Sequence, residues 1–279
     1  MNDFPPASHL DQWLLTAREA AEEAAAIHTT WAGRIDVGSA SRKGFADFVS
    51  EVDLKAQEAA LGLIHRHHPD HAVLAEEGDA SANGLPEDAT PVWIVDPLDG
   101  TANYLHGHPM YAASVAVAIS GVVVAGAVTA PALGSRWWAR RGTGAFRNGE
   151  RVRTSGLATL EGAMIGTGFP FKEPDHLETY AAQLSRVLRS GAQVRRGGAA
   201  AIDLCYVADG RFEGFWEATL YPWDYAAGAL VLEEAGGVTG RTDGSPLTLV
   251  PGSVAAGASA SVFSELVARI GGPAAPSRR

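Results

Sequence analysis

Leu10, Trp13, Leu14, Ala17, Ala21 and Ala24 recur at steps of three and four. That spacing lays one apolar stripe along a helix and predicts one over residues 10–31. A Gly/Ser-rich loop follows through Gly33, Gly38, Ser39, Ser41 and Gly44. A second helix is predicted over 52–67, stopped by Pro69. A short strand over 72–75 ends in Glu76-Glu77, and the polar stretch 78–91 is a surface loop. Val92-Trp93-Ile94-Val95 is unbroken apolar sequence, the signature of a strand buried on both faces.

Residues 109–133 carry no charge, enough length to cross a bilayer. Ser114, Ser120, Gly121, Gly126, Thr129 and Pro131 interrupt that run. Two buried strands, 112–119 and 122–129, turning at Ser120-Gly121, fit it better. The second half continues the alternation. A half-buried strand is expected over 136–140 and a hairpin at Asn148-Gly149. Helices are expected over 174–189, 199–208, 224–235 and 261–270, with a strand over 212–216. Gly236-Gly237 closes the third of those helices.

Composition narrows the class. Of 279 residues, 46% are hydrophobic and 19% charged, which excludes a disordered, collagen-like or coiled-coil chain. Lys and Arg number 22 against 32 Asp and Glu, a net charge of −10. That balance argues against a nucleic-acid partner or an anionic membrane, and is compatible with metal cations. The single cysteine, Cys205, allows no intrachain disulfide. With no basic segment leading an apolar stretch at the N-terminus, a reducing, cytoplasmic location is expected. No repeat or linker divides the chain. The expectation is one α+β domain over residues 5–272, with a Pro/Gly/Ala-rich, disordered tail over 273–279.

The chemistry concentrates in Asp96-Pro97-Leu98-Asp99-Gly100-Thr101. Two carboxylates sit three residues apart just past a buried strand. Pro97 stiffens the backbone between them and Gly100 permits close approach of a ligand. Thr101 can open a helix whose free N–H groups suit phosphate. Clustered carboxylates repel and call for a cation, and all-oxygen donors select Mg²⁺, Mn²⁺ or Ca²⁺. Glu76, Glu77, Asp47, Asp53 and Asp224 are further acids that can join. Of these, Glu77 points the other way along its strand and Asp47 reads as a turn or cap residue. An aspartyl-phosphate mechanism would need Asp-x-Asp, whereas the spacing here is Asp-x-x-Asp. His65, His67, His68 and His71 read as a helix C-terminus rather than a zinc site. Trp137-Trp138 reads as strand and Cys205 as an inert core thiol.

The ordered set Asp47-Phe48-Val49-Ser50-Glu51-Val52-Asp53, Glu76-Glu77, Asp96 to Tyr104, Gly142, Gly144, Gly149, Gly197 to Leu204, Glu217 and Trp223 to Gly228 resembles the inositol monophosphatase family. Glu233, Ala235, Gly236 and Gly237 complete the likeness, which covers about residues 40 to 240. The resemblance implies a layered αβαβα sandwich, a homodimer, and magnesium-dependent, lithium-sensitive hydrolysis of a small phosphorylated alcohol. It implies two or three Mg²⁺ ions: one on Glu76, Asp96 and the Leu98 carbonyl, a second on Asp96, Asp99 and Asp224, and a looser third facing Glu76. Asp53 and Thr101 would stand behind the attacking water, with Glu76 completing the catalytic set. The N–H groups of Gly100 and Thr101 would hold phosphate, and Asp99, Ala200 and Glu217 the alcohol. Lys43 matches a basic residue of bacterial members. Ala199 stands where many members carry Thr or Ser, which leaves the alcohol open. Inositol monophosphate is the default substrate, histidinol phosphate an alternative, and a nucleotide 3′-phosphate, a fructose bisphosphate or a non-catalytic regulatory role less favoured. The uncharged 109–133 segment and Arg195-Arg196 are candidates for the dimer interface, and that arginine pair is otherwise unassigned.

Overall fold

The computed structural model describes residues 5–36, 38, 40–44, 47–78, 90–171 and 174–271. Helix α1 (Ala7–Trp31) leads to a small antiparallel pair, β1 (Ser41–Gly44) and β2 (Asp47–Val49), and then to α2 (Glu51–His67). Strands β3 (Ala72–Ala75) and β4 (Val92–Asp99), the short helix α3 (Thr101–Leu105), and strands β5 (Ala112–Ile119) and β6 (Val122–Ala130) follow. β7 (Ser135–Arg140), β8 (Gly144–Arg147) and β9 (Glu150–Val152) complete a seven-stranded sheet in the order β3-β4-β5-β6-β7-β8-β9. Only its β3–β4 pair is parallel.

The second sheet draws on β10 (Met164–Thr167), β11 (Gln193–Arg195), β12 (Gly214–Leu220), β13 (Val238–Gly240) and β14 (Gly252–Gly257). Its five strands run in the order β11-β10-β12-β14-β13. The remaining helices are α4 (Leu177–Leu188), α5 (Ala200–Ala208), α6 (Pro222–Glu234) and α7 (Ala260–Ile270).

Burial sorts these elements into layers. Along β4, Trp93 and Val95 join Leu10, Trp13, Ala17, Ala56 and Ile64 of α1 and α2. Their neighbours Val92 and Ile94 join Leu204, Ala227 and Leu230 of α5 and α6. Successive strand side chains point to opposite faces, so a strand covered on both sides is apolar throughout. Tyr180, Val187, Val262 and Leu266 of α4 and α7 close over Ile165, Trp216 and Ala255 on the far side of the second sheet. The order is therefore α1/α2, first sheet, α5/α6, second sheet, α4/α7: the expected αβαβα sandwich. Small residues set the spacing of the middle layer, since a Cβ on Gly126 would stand 3.0 Å from the Ala227 Cα.

The uncharged 109–133 stretch forms the β5–β6 hairpin. Ser120 (φ 49°) and Gly121 (φ 74°) make a turn with both central residues left-handed, as such a two-residue connection demands. Among the described residues no helix is long and apolar enough to cross a membrane. Asn148 (φ 50°) and Gly149 (φ 91°) likewise turn β8 into β9. Several expectations shift. β4 continues past Val95 to Asp99, and β12 starts at Gly214 and runs to Leu220. The helix expected from 174 begins as a single 3₁₀ turn, Pro174–His176. Strands β1, β2, β10, β11, β13 and β14 were not anticipated. Lys43 and Asp47 lie on the β1–β2 pair with their side chains outside the described residues, as are most of the 78–91 loop and the 273–279 tail.

Candidate active site

The centre of the site is an irregularity in β4. Asp96 pairs with Ser114 but Asp99 pairs with Ala112, so three steps along β4 oppose two along β5. One extra residue in a strand is a bulge, which re-aims the side chains beyond it. Pro97 lies in that bulge, where a missing N–H costs no ladder bond. Its carbonyl is held by the buried His28, whose Nε2 lies 2.7 Å away. Burial pushes the His28 pKa down to about 4, so the ring is neutral and Nε2 is the donor. The Asp96 carboxylate accepts the Leu98 N–H at 2.9 Å, closing the turn on itself.

Gly100 then takes φ 88°, and a Cβ there would meet the Met110 carbonyl oxygen at 2.7 Å. Only glycine fits both constraints. Thr101 opens α3, and its Oγ1 lies 2.9 Å from Asp53 Oδ1 and 3.1 Å from the Leu98 oxygen. Its one proton serves one of these at a time. Asp53 is placed by the start of α2, where it also accepts the Ser50 N–H at 2.8 Å and the Ser50 hydroxyl at 2.5 Å. This is a capping box, with Ser50 at the N-cap and Asp53 three residues on. Burial still raises the Asp53 pKa, against the opposing pull of the Ser50 and Thr101 hydrogen bonds.

Two further helix starts converge on the same place. The Asp99 carboxylate accepts the Ala201 N–H at 2.8 Å at the start of α5, with Ala200 as a second backbone partner. Asp224 stands in the first turn of α6 and accepts the Tyr221 N–H at 2.7 Å. Glu76 sits just past β3, its N–H bonded to the Val95 carbonyl at 3.1 Å. Asp96 is raised well above the usual carboxylate range, first by burial and then by Glu76, Asp99 and Asp224. Asp99 is pushed up to about 7, chiefly by burial. Glu217 on β12 is raised by burial and by Asp224, Asp203 and Asp99. Asp96 thus stands within electrostatic reach of Glu76, Asp99 and Asp224, and Glu217 within reach of Asp99 and Asp224.

This set fits a hard divalent cation by its chemistry. Every donor is an oxygen, Asp96 is buried among like charges, and the Leu98 carbonyl keeps a lone pair beyond its contact with Thr101. Among the described residues no three His, Cys, Asp or Glu side chains yet close into a cation cage. A cation there would offset the repulsion that Glu76, Asp99 and Asp224 exert on the buried Asp96 carboxylate.

Other candidates fall elsewhere. Glu77 binds back to α2, its N–H donating to Gln57 at 3.0 Å. His68 and His71 stack at 4.7 Å, with Trp93 and Thr16 as further partners, in an aromatic packing cluster. Trp137 is buried and donates to Asp209 at 3.0 Å, while Trp138 is half-buried on the same strand. Cys205 is buried and its thiol pKa raised by that burial. Ser50, His28 and Asn103 were missed as supports. The Asn103 side-chain amide donates to the Met110 and Gly197 carbonyls at 2.6 and 3.0 Å, tying the α3 turn to the loop before α5. A Ser three residues before Asp53 was a readable capping signal, but nothing in the local sequence marks His28.

This layered α+β fold is shared with solved structures. The extragenic suppressor protein suhB from Bartonella henselae matches with a TM-score of 0.81 at 33% identity, covering 95% of this chain and 98% of that one. Inositol monophosphatase from Anabaena (Nostoc) matches with a TM-score of 0.82 at 31% identity, covering 95% and 98%. The fold is thus of the inositol-monophosphatase type. In sequence, the profile of the inositol monophosphatase family matches residues 9–271. An inositol-1-monophosphatase of Mesorhizobium japonicum is 41% identical over 81% of this chain and 84% of its own length. A Nus factor SuhB of Pseudomonas aeruginosa is 42% identical over 80% and 83%. The chain belongs to the inositol monophosphatase family.

Proposed function

We propose that this chain is a Mg²⁺-dependent phosphomonoesterase that hydrolyses inositol monophosphate to inositol and phosphate, working as a cytoplasmic homodimer. The observation that carries the reading is the burial of Asp96 among Glu76, Asp99 and Asp224, beside the Thr101–Asp53 pair. Glu76, Asp96 and the Leu98 carbonyl would hold one Mg²⁺, Asp96, Asp99 and Asp224 a second, and Glu76 would also face a looser third. Bound there, Mg²⁺ supplies Lewis acidity, making water more acidic and neutralising charge on phosphate and leaving oxygens.

The protein contributes position and proton control. Gly100 and Thr101 present backbone N–H groups to the phosphate oxygens at the turn that Met110 and Asn103 brace. With its own proton held by Asp53 Oδ1, Thr101 Oγ1 accepts a hydrogen from the attacking water and orients it. As the water oxygen bonds to phosphorus, its proton passes through Thr101 Oγ1 to the Asp53 carboxylate, whose pKa is raised by burial. The ester P–O bond breaks, and the leaving alkoxide oxygen takes its proton from solvent water. Asp99, the backbone of Ala200, and Glu217 face that alcohol. Phosphate release from inositol 1-phosphate and histidinol phosphate, with and without Mg²⁺, tests the reading. Mg²⁺-dependent release from the inositol ester supports it, preference for histidinol phosphate moves the substrate, and release from neither overturns it.

The similarity to a Nus factor favours one second reading, a role in the transcription machinery through protein or RNA partners. An Asp96→Asn chain separates the two: a catalytic role is lost with that carboxylate, whereas a Nus-type role survives it.

A further inference from the structure

Arg196 is a cation that faces the acidic wall of the site. It acts electrostatically on Asp99, Asp203, Glu217 and the Tyr180 phenol. Its guanidinium carbon lies 5.5 Å from the Phe169 ring centre and 5.4 Å from that of Phe171, so two aromatic faces fix its place. Both phenylalanines are exposed, at 45% and 37%, which puts the three side chains at the mouth of the site. On the inner side a methyl group on Gly198 would overlap Arg196 Nη1, and the Gly198 carbonyl in turn lies 3.3 Å from where a Cβ on Gly100 would stand. The guanidinium therefore lies against Gly198, whose carbonyl stands beside the Gly100 turn.

Below it, the wall is built of buried acceptors. Asp203 is 1% exposed, and its Oδ1 has no hydrogen-bond partner. That atom lies 2.5 Å from where a Cβ on Gly197 would be. Glu217 is packed so closely on Gly168 that a methyl there would overlap its carboxylate. Asp99 completes the wall.

We infer that Arg196, clamped between Phe169 and Phe171 above Asp99, Asp203 and Glu217, is a specificity residue that selects phosphate esters of neutral polyols over those of cationic amino alcohols. The inference rests on the proposed hydrolysis and deepens it. A sugar-like hydroxyl both donates and accepts, so it is satisfied between carboxylates and a guanidinium. An ammonium group only donates; it is drawn to the carboxylates but repelled by a fixed guanidinium at the same mouth. Without Arg196 the wall, among the described residues, is acidic and favours the amine.

The test compares kcat/KM for inositol 1-phosphate and histidinol phosphate in the Mg²⁺-loaded wild-type chain, in Arg196→Gln and in Arg195→Gln. Arg195 is exposed and bonds to the Val194 carbonyl and Gln193, away from the wall. Removing one charge near a solvent-facing wall is expected to lower the polyol-to-amine ratio about tenfold in Arg196→Gln. Arg195→Gln should leave the ratio as it is. Phe169→Ala, which loosens the clamp, should shift it in the same direction by less. An Arg196→Gln chain that hydrolyses both esters in the wild-type ratio overturns this inference and leaves the proposed hydrolysis standing. A wild-type chain that releases phosphate from neither ester overturns both.

Discussion

Mg²⁺ should stabilise this fold far less at acid pH than at neutral pH, and the size of the difference follows from Asp99. Its folded pKa is about 7 against an ordinary 3.8. A carboxylate raised in the folded state costs nothing below its unfolded pKa. It then destabilises progressively as pH rises to the folded value, and by a constant amount above. A cation needs the carboxylate ionised, so below about pH 7 each bound ion must displace that proton. One proton displaced is worth ~1.4 kcal/mol per pH unit, so the stabilisation by saturating Mg²⁺ should be about 3 kcal/mol smaller two units below pH 7. For a chain of this length that corresponds to roughly 6–12 °C in melting temperature. Asp96, raised still further, adds to the same slope. The buried His28 titrates in the opposite sense. Held near 4 in the fold, it makes the fold gain stability as pH rises from about 4 to 6.5. That contribution is common to metal-free and metal-bound protein and cancels in the difference between them. The assay is therefore thermal unfolding in chelator and in saturating Mg²⁺, at a series of pH values. An Mg²⁺ increment that stays flat between about pH 5 and pH 7 refutes the carboxylate site.

Three substitutions probe separate parts of the arrangement. Asp96→Asn should abolish phosphate release while the metal-free chain melts no lower than wild type, because one of four repelling carboxylates is gone; retained activity contradicts the ligand role. Thr101→Val leaves Asp53 Oδ1 short of a donor now at 2.9 Å. It should lower kcat by about 10²–10⁴ and cost ~1–3 kcal/mol in denaturant unfolding, with Thr101→Ser restoring most of both. Gly100→Ala places a methyl 2.7 Å from the Met110 carbonyl at φ 88°. A cost of about 1–3 kcal/mol with weakened phosphate binding is expected, and an unchanged Kd for inorganic phosphate would show that this turn does not face the phosphate.

The elements legible in the sequence are those whose burial writes a long pattern. α1 announced itself because Leu10, Trp13, Ala17 and Ala24 all point into one packed face. β5 and β6 were legible as strands because a hairpin covered on both faces must be apolar without a period of helix or membrane span. The strands that went unread are short or glycine-rich. β13 is Val238-Thr239-Gly240, and β14 starts and ends in glycine. For β10 the partner also lies far off in sequence: it joins β12 at Ile165 and Gly214. Short windows of small residues carry no period, and only the layer that forms around them makes them strands.

The site divides in the same way, by where the information lies. Asp96 and Asp99 were readable together because a bulge and a turn keep both within one local stretch, and because Pro97 and Gly100 mark that backbone. The bulge itself was not readable, since it is a statement about β5: only Ser114 and Ala112 across the ladder show that an extra residue is present. Arg196 lies further still from local reading. Its sequence neighbour Arg195 has the same charge and the same exposed setting, and among the described residues it bonds to Val194 and Gln193 of its own strand. What distinguishes Arg196 is contributed by residues 169, 171, 203 and 217, brought to it by β10, α5 and β12. In the proposed site, Gly100 and Thr101, which would hold the phosphate, sit on one rigid turn of a single motif. The residues proposed to choose the alcohol come from several elements, so they can vary one at a time without disturbing that turn.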